Sequence, residues 1–189
     1  MKYLEDIILK DGKIIDNKII KVDNFLNHQI KPEVINEFAK AVVEHFKGVK
    51  IDKVLTIETS GIAVAYAVAE QLGNVPLLFA RKTKSKTMID DLYTATVKSF
   101  TRGIFSEISV SKNFLSEGEN ILIIDDFLAE GNAAEGLISI CQQAKANVVG
   151  YATVIEKYFQ GGRKKIEAHG IDVFSGACIK EFKDNKPVF

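Results

Sequence analysis

Short, continuously apolar segments alternate along this chain with longer segments in which apolar residues recur every three or four positions. The first pattern is typical of strands buried on both faces, and the second is typical of helices. We expect strands at 53–57, 75–80, 121–124, 148–155 and 172–179. We expect helices at 32–48, 62–72 and 133–144. The alternation predicts an α/β fold, with a twisted, mainly parallel sheet flanked by helices.

Two parts of the chain depart from this alternation. Residues 82–119 begin polar and then contain two runs of alternating apolar and polar residues, which favours an antiparallel excursion. We interpret about 83–112 as a flexible flap. The segments at about 1–30 and 158–189 also lie outside the rhythm, and we expect them to form a small hood over one edge of the sheet. The whole of 1–189 is then one domain.

Composition narrows the classes of protein to be considered. The chain has 189 residues, 47% of them hydrophobic, which suits one globular domain with its own core. Lys plus Arg and Asp plus Glu are 25 each, so no net field attracts nucleic acid or a membrane surface. The two cysteines favour a reducing compartment, and no apolar run reaches membrane-spanning length. We expect a cytoplasmic protein with neither a nucleic-acid nor a membrane partner.

The stretch 121–134 is the most informative in the chain. Four apolar residues are followed by Asp125 and Asp126, which we expect at the solvent-facing end of a buried strand. Small residues then lead into the next helix. Helix N-terminal amides at such a sheet edge bind phosphate, and paired carboxylates accept hydrogen bonds from vicinal hydroxyls. A phosphorylated ribose would satisfy both.

This stretch resembles the phosphoribosyl-diphosphate motif of the type I phosphoribosyltransferases. Three further segments, 21–29, 79–82 and 154–160, are similar to the xanthine branch of that family. The resemblance implies that 5-phosphoribosyl 1-diphosphate (PRPP), bound with Mg²⁺, donates its phosphoribosyl group to xanthine in purine salvage. It also implies a homodimer, and a magnesium ion carried by the donor without a dedicated set of protein ligands.

The resemblance assigns the donor site residue by residue. Asp125 and Asp126 would be the catalytic pair, bound to the ribose hydroxyls. The residues that would wrap the 5′-phosphate with backbone amides are Ala129, Glu130, Gly131, Asn132 and Ala133. Three of these depart from common family patterns. Glu130 and Ala133 stand where many members have threonines, and we expect the Glu130 carboxylate to face solvent. Ala129 stands where the hypoxanthine-guanine branch has an aspartate proposed as base.

A second loop and two basic residues would bind the diphosphate. The loop residues are Thr59, Ser60 and Gly61, with Ser60 a candidate helix N-cap. Taken alone, this motif could also be a structural turn between a strand and a helix. Arg81 and Lys82 end another strand at the same edge, where their positive charge would favour binding of the diphosphate.

The purine pocket would be formed by Ile20, Asn27, Phe127 and Lys157. A lysine only donates hydrogen bonds, so Lys157 suits a 6-oxo purine and disfavours adenine. Asn27 can donate to a 2-oxo group, but its amide can also present oxygen, so guanine and hypoxanthine remain alternatives to xanthine. Phe127 could pack on the base or in the core. A PRPP-sensing regulator of purine genes is the alternative from another class.

Overall fold

The computed structural model describes residues 1–82, 91–98 and 105–189. The helices are α1 (Lys2–Asp11), α2 (Pro32–His45), α3 (Gly61–Gln71), α4 (Asn132–Ala144) and α5 (Gly162–Glu167). The strands are β1 (Lys13–Ile15), β2 (Ile19–Lys21), β3 (Lys53–Ile57), β4 (Leu77–Ala80), β5 (Leu92–Lys98), β6 (Phe105–Ser111), β7 (Asn120–Leu128), β8 (Asn147–Lys157), β9 (Val173–Ile179), β10 (Glu181–Lys183) and β11 (Lys186–Val188). Single turns of helix occupy Asp23–Asn27, Lys112–Phe114 and Tyr158–Gln160.

The central sheet has five strands in the order β4-β3-β7-β8-β9. Every neighbouring pair in it is parallel. Helices connect β3 to β4, β7 to β8 and β8 to β9, as the alternation of apolar segments predicts, whereas the segment that contains β5 and β6 joins β4 to β7. The carboxyl ends of all these strands therefore meet at one edge of the sheet.

Two apolar clusters cover the two faces of this sheet. On one face, α1, α2 and α3 pack against side chains of β3, β7 and β8. On the other face, α4 packs against the same strands together with β5 and β6. Pro32 occupies the first turn of α2 and Gly48 follows its end with φ +83°, which are favourable residues for a helix start and stop.

β5 and β6 form the antiparallel hairpin that the alternating runs predict. A bridge between Arg81 and Ser109 joins this hairpin to the end of β4. Residues 83–90 and 99–104 of the predicted flap lie outside the described residues.

The N- and C-terminal segments pack together at the end of the sheet. β1–β2 and β10–β11 are hairpins whose turns, Asp16-Asn17 and Asp184-Asn185, have positive φ. Asn17 and Asn185 exchange backbone-to-side-chain hydrogen bonds of 3.2 and 2.7 Å, which tie one turn to the other. Within the described ranges, no helix is long and apolar enough to span a bilayer.

Candidate active site

The acidic pair, Asp125 and Asp126, lies inside β7 and not beyond its end. The strand continues to Leu128, and the two side chains are only 5% and 9% exposed. The expectation of a solvent-facing strand end is therefore wrong. β8 also runs further than predicted and pairs with β7 as far as Leu128, so the acidic pair lies within the paired part of the sheet.

The two carboxylates have different partners because successive residues of a strand point to opposite faces. Asp126 Oδ2 accepts a hydrogen bond of 2.8 Å from the Asn27 side chain, which reaches it from the N-terminal segment. Asp125 Oδ1 accepts one of 2.9 Å from the Asp126 backbone amide. Burial and, secondarily, the charge of Asp126 raise the pKa of Asp125 well above its ordinary value, while the cation of Lys82 acts in the opposite direction. Burial of Asp125 beside Asp126 thus favours its protonated form in the ligand-free protein.

The 129–133 loop follows β7 directly and opens α4. Gly131 is the N-cap with φ +80°, a conformation that glycine adopts without steric cost, and no side chain caps the helix there. The amides of the first turn are thus uncapped by side chains and available to an anion. Glu130 is only half-exposed and accepts a 3.0 Å hydrogen bond from the Asn132 side chain. Glu130 is therefore partly in solvent, and its carboxylate also has a partner within the loop.

The 58–61 loop lies beside the acidic pair and contains a cis peptide bond between Glu58 and Thr59. Ser60 occupies the N-cap position of α3 as predicted, but its side chain makes no capping hydrogen bond. A Cβ atom added to Gly61 would lie 2.3 Å from Thr56 Oγ1 and 3.3 Å from Asp125 Oδ1. Only glycine therefore fits at this approach of α3 to the carboxylate.

Arg81 and Lys82 follow β4 at the same edge of the sheet. Arg81 exchanges two backbone hydrogen bonds of 2.9 Å with Ser109. The backbone amide of Lys82 donates to the Glu58 carboxylate at 2.6 Å, which fixes the start of the next segment against the 58–61 loop. The structure thus brings Lys82, the 58–61 loop and Asp125 together.

The residues predicted to form the purine pocket lie on the other side of the acidic pair. Lys157 ends β8, is 7% exposed, and its Nζ lies 3.5 Å from the Lys18 carbonyl oxygen in the β1–β2 turn. Burial lowers the pKa of Lys157. Ile20 is buried in β2, Asn27 is exposed, and Phe127 is half-buried against the α1–α3 side of the core. Core packing of Phe127 is therefore observed.

Three residues near the site, Glu156, Arg163 and Glu58, were not assigned a role from the sequence. Glu156 is buried in β8 and paired with Arg163, and Glu58 holds the Lys82 amide. The sequence signal for Glu156 was a carboxylate directly after the apolar run that ends at Ile155. No cluster of three or more metal-binding side chains was found among the described residues.

Comparison with known proteins identifies the family. The model of the phosphoribosyl transferase domain matches residues 21–185. This chain belongs to that family. It is 49% identical over 189 residues, spanning the whole of both chains, to the xanthine phosphoribosyltransferase of Laribacter hongkongensis. The xanthine phosphoribosyltransferase of Clostridium tetani is equally similar, at 49% identity over the same full span.

Solved structures of adenine phosphoribosyltransferases have the same fold. The Saccharomyces cerevisiae enzyme, solved with adenine, matches with a TM-score of 0.73 at 25% identity, covering 93% of this chain and 99% of that one. The Rhodothermus marinus enzyme matches with a TM-score of 0.75 at 23% identity, covering 95% and 100%. The type I phosphoribosyltransferase fold expected from the motif is confirmed.

Proposed function

We propose that this phosphoribosyltransferase transfers the 5-phosphoribosyl group of PRPP to xanthine, giving xanthosine 5′-monophosphate (XMP) and diphosphate. The observation that carries the proposal is the acidic pair in β7, set between two loops that are open to anions. Full-length relatives at 49% identity that are named xanthine phosphoribosyltransferases support the choice of acceptor.

Donor binding would use both loops. The amides of residues 129–133 and the start of α4 hold the 5′-phosphate, since helix N-termini favour anions. Asp126 and Asp125 accept hydrogen bonds from the ribose hydroxyls. Thr59, Ser60 and Gly61 hold the diphosphate, with Arg81 and Lys82 supplying positive charge.

The reaction breaks the bond between the anomeric carbon and the diphosphate oxygen, and forms a bond from that carbon to a purine nitrogen. Positive charge develops on the ribose in the transition state, and the buried carboxylates of Asp125 and Asp126 stabilise it. Lys82, whose charge acts on Asp125, would stabilise the departing diphosphate. Ala129 offers no base, so the purine proton leaves to solvent.

Base recognition would depend on Lys157 and Asn27. The Lys157 ammonium donates to the 6-oxo group, and Asn27 donates to the 2-oxo group that hypoxanthine lacks. Ile20 and Phe127 supply apolar surface for the ring. In the ligand-free protein the Asn27 amide donates to Asp126 instead, so the ribose hydroxyls and the purine together replace this contact.

Mg²⁺ is the cofactor we propose to accompany PRPP. Because Mg²⁺ prefers oxygen ligands and retains several waters, the diphosphate and the ribose hydroxyls would hold it, and Asp125 and Asp126 would contact it through water. When bound, the ion neutralises charge on the diphosphate leaving group.

We also propose a homodimer in the cytoplasm. The edge strand β4 leaves Phe79 39% exposed, and nearby Phe114 is 60% exposed, which supplies apolar surface for a second copy. The two cysteines are free, which fits a reducing compartment. Sedimentation equilibrium, expected to give twice the monomer mass, tests the dimer.

The reaction itself is tested by incubating the protein with PRPP, Mg²⁺ and xanthine and separating the products. We expect one XMP for each diphosphate released. Asp126→Ala is the matched variant, expected to lower turnover at least a hundredfold. Diphosphate release without XMP would mean hydrolysis of the donor, and would refute the transfer.

A further inference from the structure

A buried ion pair lies behind the 129–133 loop. Glu156 has a side chain 1% exposed, and its carboxylate accepts hydrogen bonds from Arg163 Nε at 3.0 and 3.2 Å and from Arg163 Nη2 at 2.7 Å. This fork-shaped contact fixes the guanidinium in one orientation. The pair joins the end of β8 to the first turn of α5.

The same arginine is tied to β9. Its Nη1 donates to the Val173 carbonyl at 2.9 Å, and its Nη2 donates to Ser175 Oγ at 3.1 Å. Ser175 in turn donates to Glu156. Three elements thus share one polar network, so that displacing Arg163 would leave the Glu156 carboxylate buried without its counter-charge.

The residue before Arg163 touches the loop directly. The Gly162 amide donates to the Ala129 carbonyl at 3.1 Å. A Cβ at Gly162 would lie 2.4 Å from Ala129 O and 2.8 Å from the Gly131 amide nitrogen. The backbone at Gly162 is therefore one wall of the 129–133 loop, and Arg163 is the adjacent anchor of that wall.

We propose that Glu156 and Arg163 are positioning residues for the 5′-phosphate loop: their ion pair holds Gly162 against residues 129–131 and thereby fixes the amides that bind the phosphate. The proposal rests on the proposed function only in taking this loop as the phosphate site. Neither residue touches the substrate. Their loss weakens phosphate binding through the loop.

The test measures binding of ribose 5-phosphate by calorimetry, since this ligand needs no turnover. The control is Lys53→Met, which breaks a comparable ion pair with Glu119, 2.8 Å long with Lys53 11% exposed, at the opposite end of the sheet. We expect Arg163→Met to raise the dissociation constant at least tenfold and Lys53→Met to change it less than twofold. With PRPP, we expect Arg163→Met to raise KM to a similar degree, while kcat at saturation stays within about threefold.

The double variant Glu156→Met with Arg163→Met leaves no buried charge unpaired, so it folds even if Arg163→Met does not. It should still bind ribose 5-phosphate at least tenfold more weakly than the wild type. Wild-type affinity in the double variant, or equal weakening by Lys53→Met, would overturn the proposal, as would a wild-type protein that does not bind ribose 5-phosphate. Binding without XMP formation would refute xanthine transfer alone.

Discussion

Gly61 gives a direct test of how closely α3 approaches β3 beside the acidic pair. In Gly61→Ala the new methyl group would lie 2.3 Å from Thr56 Oγ1, far inside van der Waals contact, so the start of α3 must move away from β3. Overpacking of this kind costs about 1–3 kcal/mol of unfolding free energy. For a chain of this size the corresponding fall in Tm is about 2–12 °C. KM for PRPP should also rise, because Gly61 belongs to the 58–61 loop.

The compensating variant removes the atom that clashes. Thr56 is fully buried and its hydroxyl has no hydrogen-bond partner, so Thr56→Ala alone should change unfolding free energy by less than about 1 kcal/mol. Thr56→Ala with Gly61→Ala should recover most of the lost Tm and most of the KM, measured by thermal unfolding and initial rates. If the double variant is as unstable as Gly61→Ala, or if Gly61→Ala has no effect, the close approach is refuted.

Four further outcomes are expected. Asn27→Ala should raise KM for xanthine several-fold and change KM for hypoxanthine less. It should cost under about 1 kcal/mol of unfolding free energy, because water replaces the exposed Asn27 donor. Equal effects on both bases in steady-state rates would contradict the role of Asn27 at position 2 of the purine. Burial lowers the pKa of Lys157 from 10.5, so Lys157 should lose its proton, and KM for xanthine should rise, at a pH below 10.5. Lys157→Arg should shift this rise in KM to higher pH, because arginine stays charged. Superimposable pH profiles of the two proteins would refute this role of Lys157. The folded-state pKa of Asp125 is raised above 3.8, so the contribution of this carboxyl to stability is complete below pH 3.8 and is lost as pH rises through the folded-state pKa. Over this pH range the Tm of Asp125→Asn should fall less than the Tm of the wild type. Parallel curves of Tm against pH would contradict the burial of Asp125. Chelation of Mg²⁺ should abolish turnover and leave Tm of the ligand-free protein unchanged; a fall in Tm would indicate a structural metal.

The sheet could be predicted because its strands are buried on both faces. The mainly apolar segment 53–57 is too short for a typical helix, which favours a strand, and β3 occupies those same residues. The ends of strands were less predictable, since a charged residue in an apolar run is normally taken as the boundary. The predicted strand 148–155 stops before Glu156, whereas the observed strand includes it because Arg163 compensates the buried charge.

The acidic pair was recognisable from its neighbours in sequence, but its surroundings were not. Asn27 and Asp126 are 99 positions apart, and their hydrogen bond depends on where the N-terminal segment meets the sheet. Glu130 was expected in solvent on charge alone. Its bond to Asn132 is a local contact of the loop that depends on the conformation of Gly131.

Initial rates with PRPP and Mg²⁺ against xanthine, guanine, hypoxanthine and adenine, measured in parallel, are the decisive test of transfer to xanthine. We expect the highest kcat/KM for xanthine and the lowest for adenine, whose 6-amino group would face the Lys157 donor. A preference for adenine, or no product from any of the four bases, would contradict it.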